Sequence, residues 1–261
     1  MHILLTNDDG YQSPGLRSFA RELEKLGRVS VVAPLTQKSA ISSSITLYSP
    51  LMAFPKKEKG FQGHAVEGTP ADCVKLAVRE LLSSPPDLVV SGINFGLNTG
   101  SNILYSGTVA GALEGAHLGI PAIAVSLQVS KTPAWDRTAR EARKIISDLI
   151  SDGIPKRMIY NVNLPKQKPK GVRVAVQEHR PYPDFYERRA DPRGRTYYWL
   201  CGNPEKNLTP SRNGDGRIPT DARVVSQGYI SITPLVRDLT HHAGVDQVRE
   251  LFEMRSRKRS R

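Results

Sequence analysis

The sequence predicts an α/β protein built on a mostly parallel sheet, and three observations carry that prediction. The chain opens β-α-β: an apolar run, Met1 to Leu5, stops at Asn7-Asp8-Asp9-Gly10, a helical pattern follows, and a second apolar run arrives at Val29 to Ala33. Further short apolar runs at Asp87–Val90, Pro121–Ser126 and Met158–Val162 alternate with helical periods, as parallel sheets require. After about residue 180 the alternation gives way to a stretch rich in aromatics and arginine, which reads as an appended hairpin rather than more core. A β-α-β start implies a parallel pair with a right-handed crossover, so both strands deliver their following loops to one edge of the sheet. Open α/β sheets bind ligands just beyond that edge.

Composition sets bounds. A chain of 261 residues can bury a large core, and 39% hydrophobic with 24% charged residues is ordinary for a globular protein. No apolar run reaches the roughly 18 residues of a membrane span, and no charged-then-apolar signal segment precedes the first strand, so a cytoplasmic location is expected. Two cysteines far apart, Cys73 and Cys201, support neither a disulfide framework nor a cysteine-rich zinc site. The net charge of +12 raises nucleic acid as a partner, but five of the basic residues and no acidic one fall in the tail 255–261, which reads as a solvated end. The remaining excess suits a small anionic ligand.

In chain order, Pro14 to Leu26 reads as a helix, with proline near its start, apolar Leu16, Phe19, Ala20, Leu23 and Leu26 on one face, and Gly27 as the stop. The hydroxyl-rich loop Leu35 to Ser44 then emerges beside Asp8 and Asp9. Residues Ile45 to Val66 suggest a small β excursion. Thr69 and Pro70 open a helix with Cys73, Leu76, Ala77, Leu81 and Leu82 inward, ended by Pro85-Pro86. The strand at Asp87–Val90 leads into a long polar, glycine-rich loop, Ser91 to Asn102, continued by Tyr105-Ser106-Gly107-Thr108 and a helix from Val109 to Leu118. Glycines allow close backbone approach, and the first amides of a helix make an anion cradle, to which Ser106 and Thr108 add hydroxyls.

Trp135 to Ile150 is a further helix, and Met158–Val162 and Val172–Val176 are short strands. Between Arg180 and Gly228, the aromatics Tyr182, Phe185, Tyr186, Tyr197, Tyr198 and Trp199 interleave with Arg180, Arg188, Arg189, Arg193 and Arg195. That mixture suits stacking on nucleic acid, or burial in a partner subunit, where Tyr, Trp and Arg are favoured; the interface reading is preferred. A final strand, Tyr229 to Thr233, and an amphipathic helix, Val245 to Met254, close the chain. His241-His242 reads as a surface pair whose side chains diverge on a strand.

Three strand-end loops thus present Asp8 and Asp9, Ser39, and Asn94 with Asn98, all oxygen ligands. Such a set suits a hard divalent ion better than structural zinc. A divalent ion beside an anion cradle fits phosphate-ester hydrolysis, because the ion lowers the pKa of a bound water and polarises phosphoryl oxygens. From the residues alone the reading stops at a metal-dependent hydrolase or an anion-binding α/β protein.

The segments Thr6-Asn7-Asp8-Asp9-Gly10, Ala33 to Ser39, Gly68 to Cys73, Ser91 to Asn98 (S-G-I-N-x-G-x-N) and Tyr105 to Ala110 (Y-S-G-T-V-A) together resemble the SurE family, the survival protein E nucleotidases. The resemblance implies a three-layer Rossmann-like core over residues 1–178 of a single domain, with a C-terminal β-hairpin extension, terminal helix and oligomerisation segment over 179–261. It implies metal-dependent hydrolysis of nucleoside 5′-monophosphates, with one divalent metal ion per subunit held by Asp8, Asp9, Ser39 and Asn94, and Asp8 and Asp9 catalytic. It further implies that Asn98, Ser106, Gly107 and Thr108 line the phosphate pocket, and that the chain forms a homodimer or homotetramer with exchanged C-terminal segments. One departure is Ala40, where the family commonly has glycine after the loop serine. The alternative is a non-enzymatic nucleotide- or RNA-binding module using the basic hairpin and tail.

Overall fold

The computed structural model describes residues 1–58, 60–151, 153–155, 158–179, 184–202 and 218–259, with side chains to residue 253. Nine strands form one sheet: β1 (His2–Thr6), β2 (Arg28–Pro34), β3 (Ala53–Glu58), β4 (Phe61–Val66), β5 (Leu88–Phe95), β6 (Ala122–Leu127), β7 (Met158–Leu164), β8 (Val172–Val174) and, later in the chain, β11 (Ile230–Val236). Their order is β3-β4-β2-β1-β5-β6-β7-β11-β8, and the pairs are parallel except β3 with β4 and β7 with β11. A separate antiparallel hairpin consists of β9 (Phe185–Ala190) and β10 (Thr196–Cys201). The chain is therefore a Rossmann-like α/β fold with an appended C-terminal hairpin.

The strands β1 and β6 and the first half of β5, Leu88 to Val90, read as nearly continuous apolar runs because helices cover both faces. On one face, α1 (Pro14–Leu23) and α5 (Trp135–Ser151) set Leu16, Phe19, Leu23, Ala139, Ala142 and Ile146 against Ile3, Leu5, Val90 and Ile123. On the other, α2 (Pro70–Leu76) and α4 (Gly107–His117) set Cys73, Val74, Val109, Ala112 and Ala116 against Leu4, Val89 and Ala124. The helix starts follow local chemistry: Ser13 caps α1 by accepting from the Leu16 amide, and Thr69 with Asp72 forms a capping box on α2. Gly115 lies where a Cβ would come 2.7 Å from the Val89 side chain, so α4 packs closer to β5 than any larger residue permits.

Five expectations shift. The first helix ends at Leu23, three residues early, its last turn closed by bonds from Glu24, Lys25 and Leu26. The helix begun at Pro70 becomes a π-type turn over Ala77–Leu81. The last edge strand ends at Val174, with Val176 making an isolated bridge to Thr220. The polar segment after Val90 stays in the sheet as far as Phe95: Asn94 pairs with Ser126 and Phe95 with Leu127 after a register shift. Glycine makes this possible, because a Cβ on Gly92 would stand 2.4 Å from the Val125 carbonyl. Finally, His241 and His242 are exposed as expected but not on a strand: His242 begins α7 (His242–Arg259), its Nε2 2.8 Å from Asp238. Two short helices complete the set, α3 (Asn102–Tyr105) and α6 (Asp221–Ser226).

Candidate functional site

At the carboxyl edge of the sheet, β1 ends at Thr6 and Asn7 folds the chain over: its Nδ2 donates to the Gly10 carbonyl at 3.1 Å and to Ser13 Oγ at 2.9 Å. Gly10, at φ +96°, supplies a turn that L residues rarely adopt. This places Asp8 and Asp9 on the wall of an open cleft of about 220 Å³, together with Ser39, Ala40, Asn94, Phe95, Leu97, Asn98, Asn102, Tyr105 and Ser106. Larger clefts of about 310 and 320 Å³ lie elsewhere, and neither contains paired carboxylates.

Asp8 is buried against the start of α4. The Thr108 hydroxyl donates to its Oδ1, and the Thr108 main-chain amide also favours the carboxylate. Burial nevertheless wins, and with help from neighbouring Asp9 it pushes the Asp8 carboxyl up to about 6. Asp9 is less enclosed; burial raises its pKa as well, opposed by the Phe95 amide, which donates to Oδ2 at 2.9 Å. Gly107 explains the closeness of helix and carboxylate: a Cβ there would lie 2.9 Å from Asp8 Cβ and 3.1 Å from both Asp8 Oδ2 and the Lys38 carbonyl.

The hydroxyl-rich loop is fastened at both ends. Lys38 N donates to the Asp8 carbonyl at 2.7 Å, Ser42 N to the Tyr105 carbonyl at 3.0 Å, and Thr69 Oγ1 to the Ser44 carbonyl at 2.7 Å. Ser39 is exposed at the cleft and accepts from Gln37 Nε2 at 2.9 Å. Ala40, the departure noted above, has φ +52°, a conformation glycine adopts more readily. Asn94 Nδ2 donates to the Gly96 carbonyl at 2.7 Å, which leaves Oδ1 as the atom available to a ligand.

Asn98 plays a more internal part than a wall residue need play. Its amide N–H donates to Asn163 Oδ1, its Nδ2 to Ser126 Oγ, and its carbonyl accepts from both Asn161 and Asn163. Ser106 caps α4 by accepting from the Val109 amide at 3.1 Å, so its hydroxyl is engaged within the helix start. Gly107 and Thr108 stand behind Asp8 rather than on the open wall.

Two features escaped sequence reasoning. Asn161 and Asn163, both fully buried, brace the Asn98 loop, and their signal was a pair of amides two apart in an otherwise apolar strand. Asp221, also fully buried, accepts from the amides of Gly100 at 3.0 Å, Glu178 at 3.1 Å and Ala222 at 2.7 Å, fixing the same loop from below; burial pushes its pKa up to about 6. Nothing local in Thr220-Asp221 distinguishes it from an ordinary helix start. Arg180, Tyr182 and the side chains of the basic tail fall outside the described residues; Phe185, Tyr186, Tyr198 and Trp199 are exposed on the hairpin.

Comparison with known proteins decides the family. The family model described as Survival protein SurE matches residues 3–184. The chain belongs to the SurE family. A protein of Nitratidesulfovibrio vulgaris named 5′-nucleotidase SurE is 42% identical over 258 residues, covering 97% of this chain and all of that one. A relative of the same name from Chloroflexus aggregans is 43% identical over 256 residues, covering 95% of this chain and 98% of its own. The crystal structure of SurE from Aquifex aeolicus superposes with a TM-score of 0.80 at 38% identity, covering 96% of this chain and 99% of that one.

The SurE cleft also meets a chemical test for a cation. Among the described residues neither Asp8 nor Asp9 pairs with a Lys, Arg or His. Two adjacent carboxylates held away from water without a counter-charge are costly, and a cation bound between them offsets that cost. No group of three His, Cys, Asp or Glu side chains gathers among the described residues, so any metal held here draws on hydroxyl and amide oxygens as well.

Proposed function

We propose that this SurE-family chain is a metal-dependent 5′-nucleotidase, hydrolysing nucleoside 5′-monophosphates to nucleoside and phosphate. The observation that carries the reading is the adjacent carboxylate pair, Asp8 and Asp9, set against the N-terminus of α4 with no Lys, Arg or His partner among the described residues. Asp8, Asp9, Ser39 and Asn94 would hold one divalent ion per subunit, whose chemistry is to acidify water and neutralise phosphoryl charge. Asp8 or Asp9 orients the attacking water and accepts its proton. The Thr108 hydroxyl and main-chain amide hold Asp8 in place, and the positive dipole end of α4 behind Asp8 favours the phosphoryl charge. Asn98, Ser106, Gly107 and Thr108 shape the phosphate pocket, Asn98 through the loop its network anchors.

The exposed aromatics of the hairpin and the exposed Val245, Val248 and Leu251 of α7 support a homodimer or homotetramer with exchanged C-terminal segments. In this reading, residues 1–178 form the core and 179–261 add the hairpin and terminal helix while returning β11 to the sheet. No described helix is long and apolar enough to cross a membrane, and a cytoplasmic setting is the reading adopted.

The test is phosphate release from AMP, GMP and other monophosphates with and without EDTA. Turnover is expected to vanish on chelation and to return with divalent ion, and activity surviving full chelation would sink the metal mechanism. Asp8→Asn is expected to remove turnover while leaving the fold intact. RNA binding that falls steeply with salt and is indifferent to Asp8→Asn, in a protein releasing no phosphate, would instead mark a binding module.

A further inference from the structure

The cleft carries more aromatic surface than phosphate chemistry requires. Phe95 closes β5 and is 37% exposed, although Leu88 to Ile93 before it in the strand are buried. Its main chain is fixed on both sides: its amide donates to Asp9, and the next amide, Gly96 N, donates to the Leu127 carbonyl at 2.9 Å. Its ring is backed by Trp135, with centroids 5.5 Å apart and planes inclined at 59°. Trp135 is itself seated at the start of α1, where a Cβ on Gly15 would meet its ring at 2.9 Å. Another cleft residue, Tyr105, ends α3 immediately before the Ser106 cap; the residue is 62% exposed and its carbonyl is held by the Ser42 amide. Phe95 and Tyr105 both line the cleft, and among the described residues no ring contact joins them.

Resting on the nucleotidase reading, we propose that Phe95, braced by Trp135, and Tyr105 form the nucleobase subsite, stacking on the base and making purine monophosphates the preferred substrates. A 5′-monophosphate bound with its phosphate at Asp8 and Asp9 carries its base beyond the ribose, toward the rim these two rings occupy. Aromatic faces attract any base sequence-tolerantly, and a ring held by backbone and Trp135 spends little conformational entropy on binding. The larger purine ring gains more from such a platform than a pyrimidine. Within the motif S-G-I-N-x-G-x-N the unspecified first x is Phe95, so the subsite lies next to, but outside, the residues that address the metal and phosphate.

The experiment compares kcat/KM for AMP, CMP and base-free ribose 5-phosphate in the full-length protein with saturating divalent ion. Because the amide bonded to Asp9 belongs to the main chain, the Phe95 side chain can be changed without deleting that donor. Phe95→Leu, which keeps apolar packing on Trp135, is expected to lower the AMP to ribose 5-phosphate ratio about tenfold, mostly through KM for AMP, and to narrow the AMP to CMP preference. Tyr105→Leu should act in the same direction, and Phe95→Tyr should restore the ratio to within about twofold of wild type. A ratio unmoved by Phe95→Leu, or equal losses on AMP and ribose 5-phosphate, overturns the subsite while leaving the nucleotidase reading standing. A wild-type protein that releases no phosphate from any nucleoside monophosphate overturns both.

Discussion

Gly107→Ala is the sharpest test of how the site is built. The φ of Gly107 lies outside the left-handed region, so alanine is conformationally acceptable there and only space opposes it. The added methyl would sit 2.9 Å from Asp8 Cβ and 3.1 Å from Asp8 Oδ2 and the Lys38 carbonyl, whereas carbon atoms pack comfortably at about 3.5–4.0 Å. Either the start of α4 backs away or the Asp8 turn moves, by roughly half an ångström to an ångström given that spacing. Overpacking of this kind costs about 1–3 kcal/mol, partly offset by alanine's helix preference of up to about 1 kcal/mol. The net change of about 0–2 kcal/mol corresponds to a Tm loss below about 8 °C. Catalysis should suffer more, because a misplacement of about 1 Å can cost on the order of a hundredfold. The expected result is kcat/KM for AMP reduced about 10- to 100-fold in a protein that still melts cooperatively, measured by phosphate release and by calorimetry. Wild-type kcat/KM in Gly107→Ala would refute the idea that close approach of α4 to Asp8 sets the geometry.

Three further expectations follow from the same structure. Saturating divalent ion at about 100 times Kd should stabilise the protein by about 2.7 kcal/mol, a Tm rise of roughly 5–10 °C, and should leave Asp8→Asn unmoved; an equal rise in the variant places the cation elsewhere. Asp221 has a folded pKa of about 6 against about 3.9 unfolded, so its stabilisation is complete below about pH 4 and is lost as pH rises through about 6, by up to about 3 kcal/mol. Denaturant unfolding from about pH 4 to 7 should therefore show a falling stability that is shallower in Asp221→Asn, and an identical slope in the two proteins refutes the assignment. Ala40→Gly should raise stability by about 0.5–1 kcal/mol, because relief of the left-handed strain at φ +52° exceeds glycine's added unfolded-state entropy; a fall in Tm contradicts that conformation.

The order of strands and helices was legible because each apolar run and each cap is a local signal. Periodicity identified the helical inner faces, Pro14 and the pair Thr69-Pro70 announced helix starts, and the β-α-β opening implied that the loops of Asp8 and Ser39 would reach one edge, to which the strand at Asp87–Val90 adds Asn94. The five motifs shared with SurE made that edge chemically specific. Local chemistry failed where packing decided: Ser91 to Phe95 looked like loop because it is polar and glycine-rich, yet Gly92 lets it run against Val125 as strand. Ala40 stood out by resemblance, and only its backbone angle shows what the position demands.

By itself, then, the sequence determined the α/β class, the carboxylate pair at a strand end and the set of oxygen-bearing side chains proposed as ligands, all of them properties of short segments. Only the tertiary structure decided that Thr108 is spent on Asp8, that Asn98 is gripped by Asn161 and Asn163, that Asp221 anchors the loop from 121 residues beyond Gly100, and that Phe95 rests on Trp135. Those contacts join residues tens to more than a hundred positions apart. Their energies depend on burial and on angles set by the packed sheet and helices, which no window of local sequence contains.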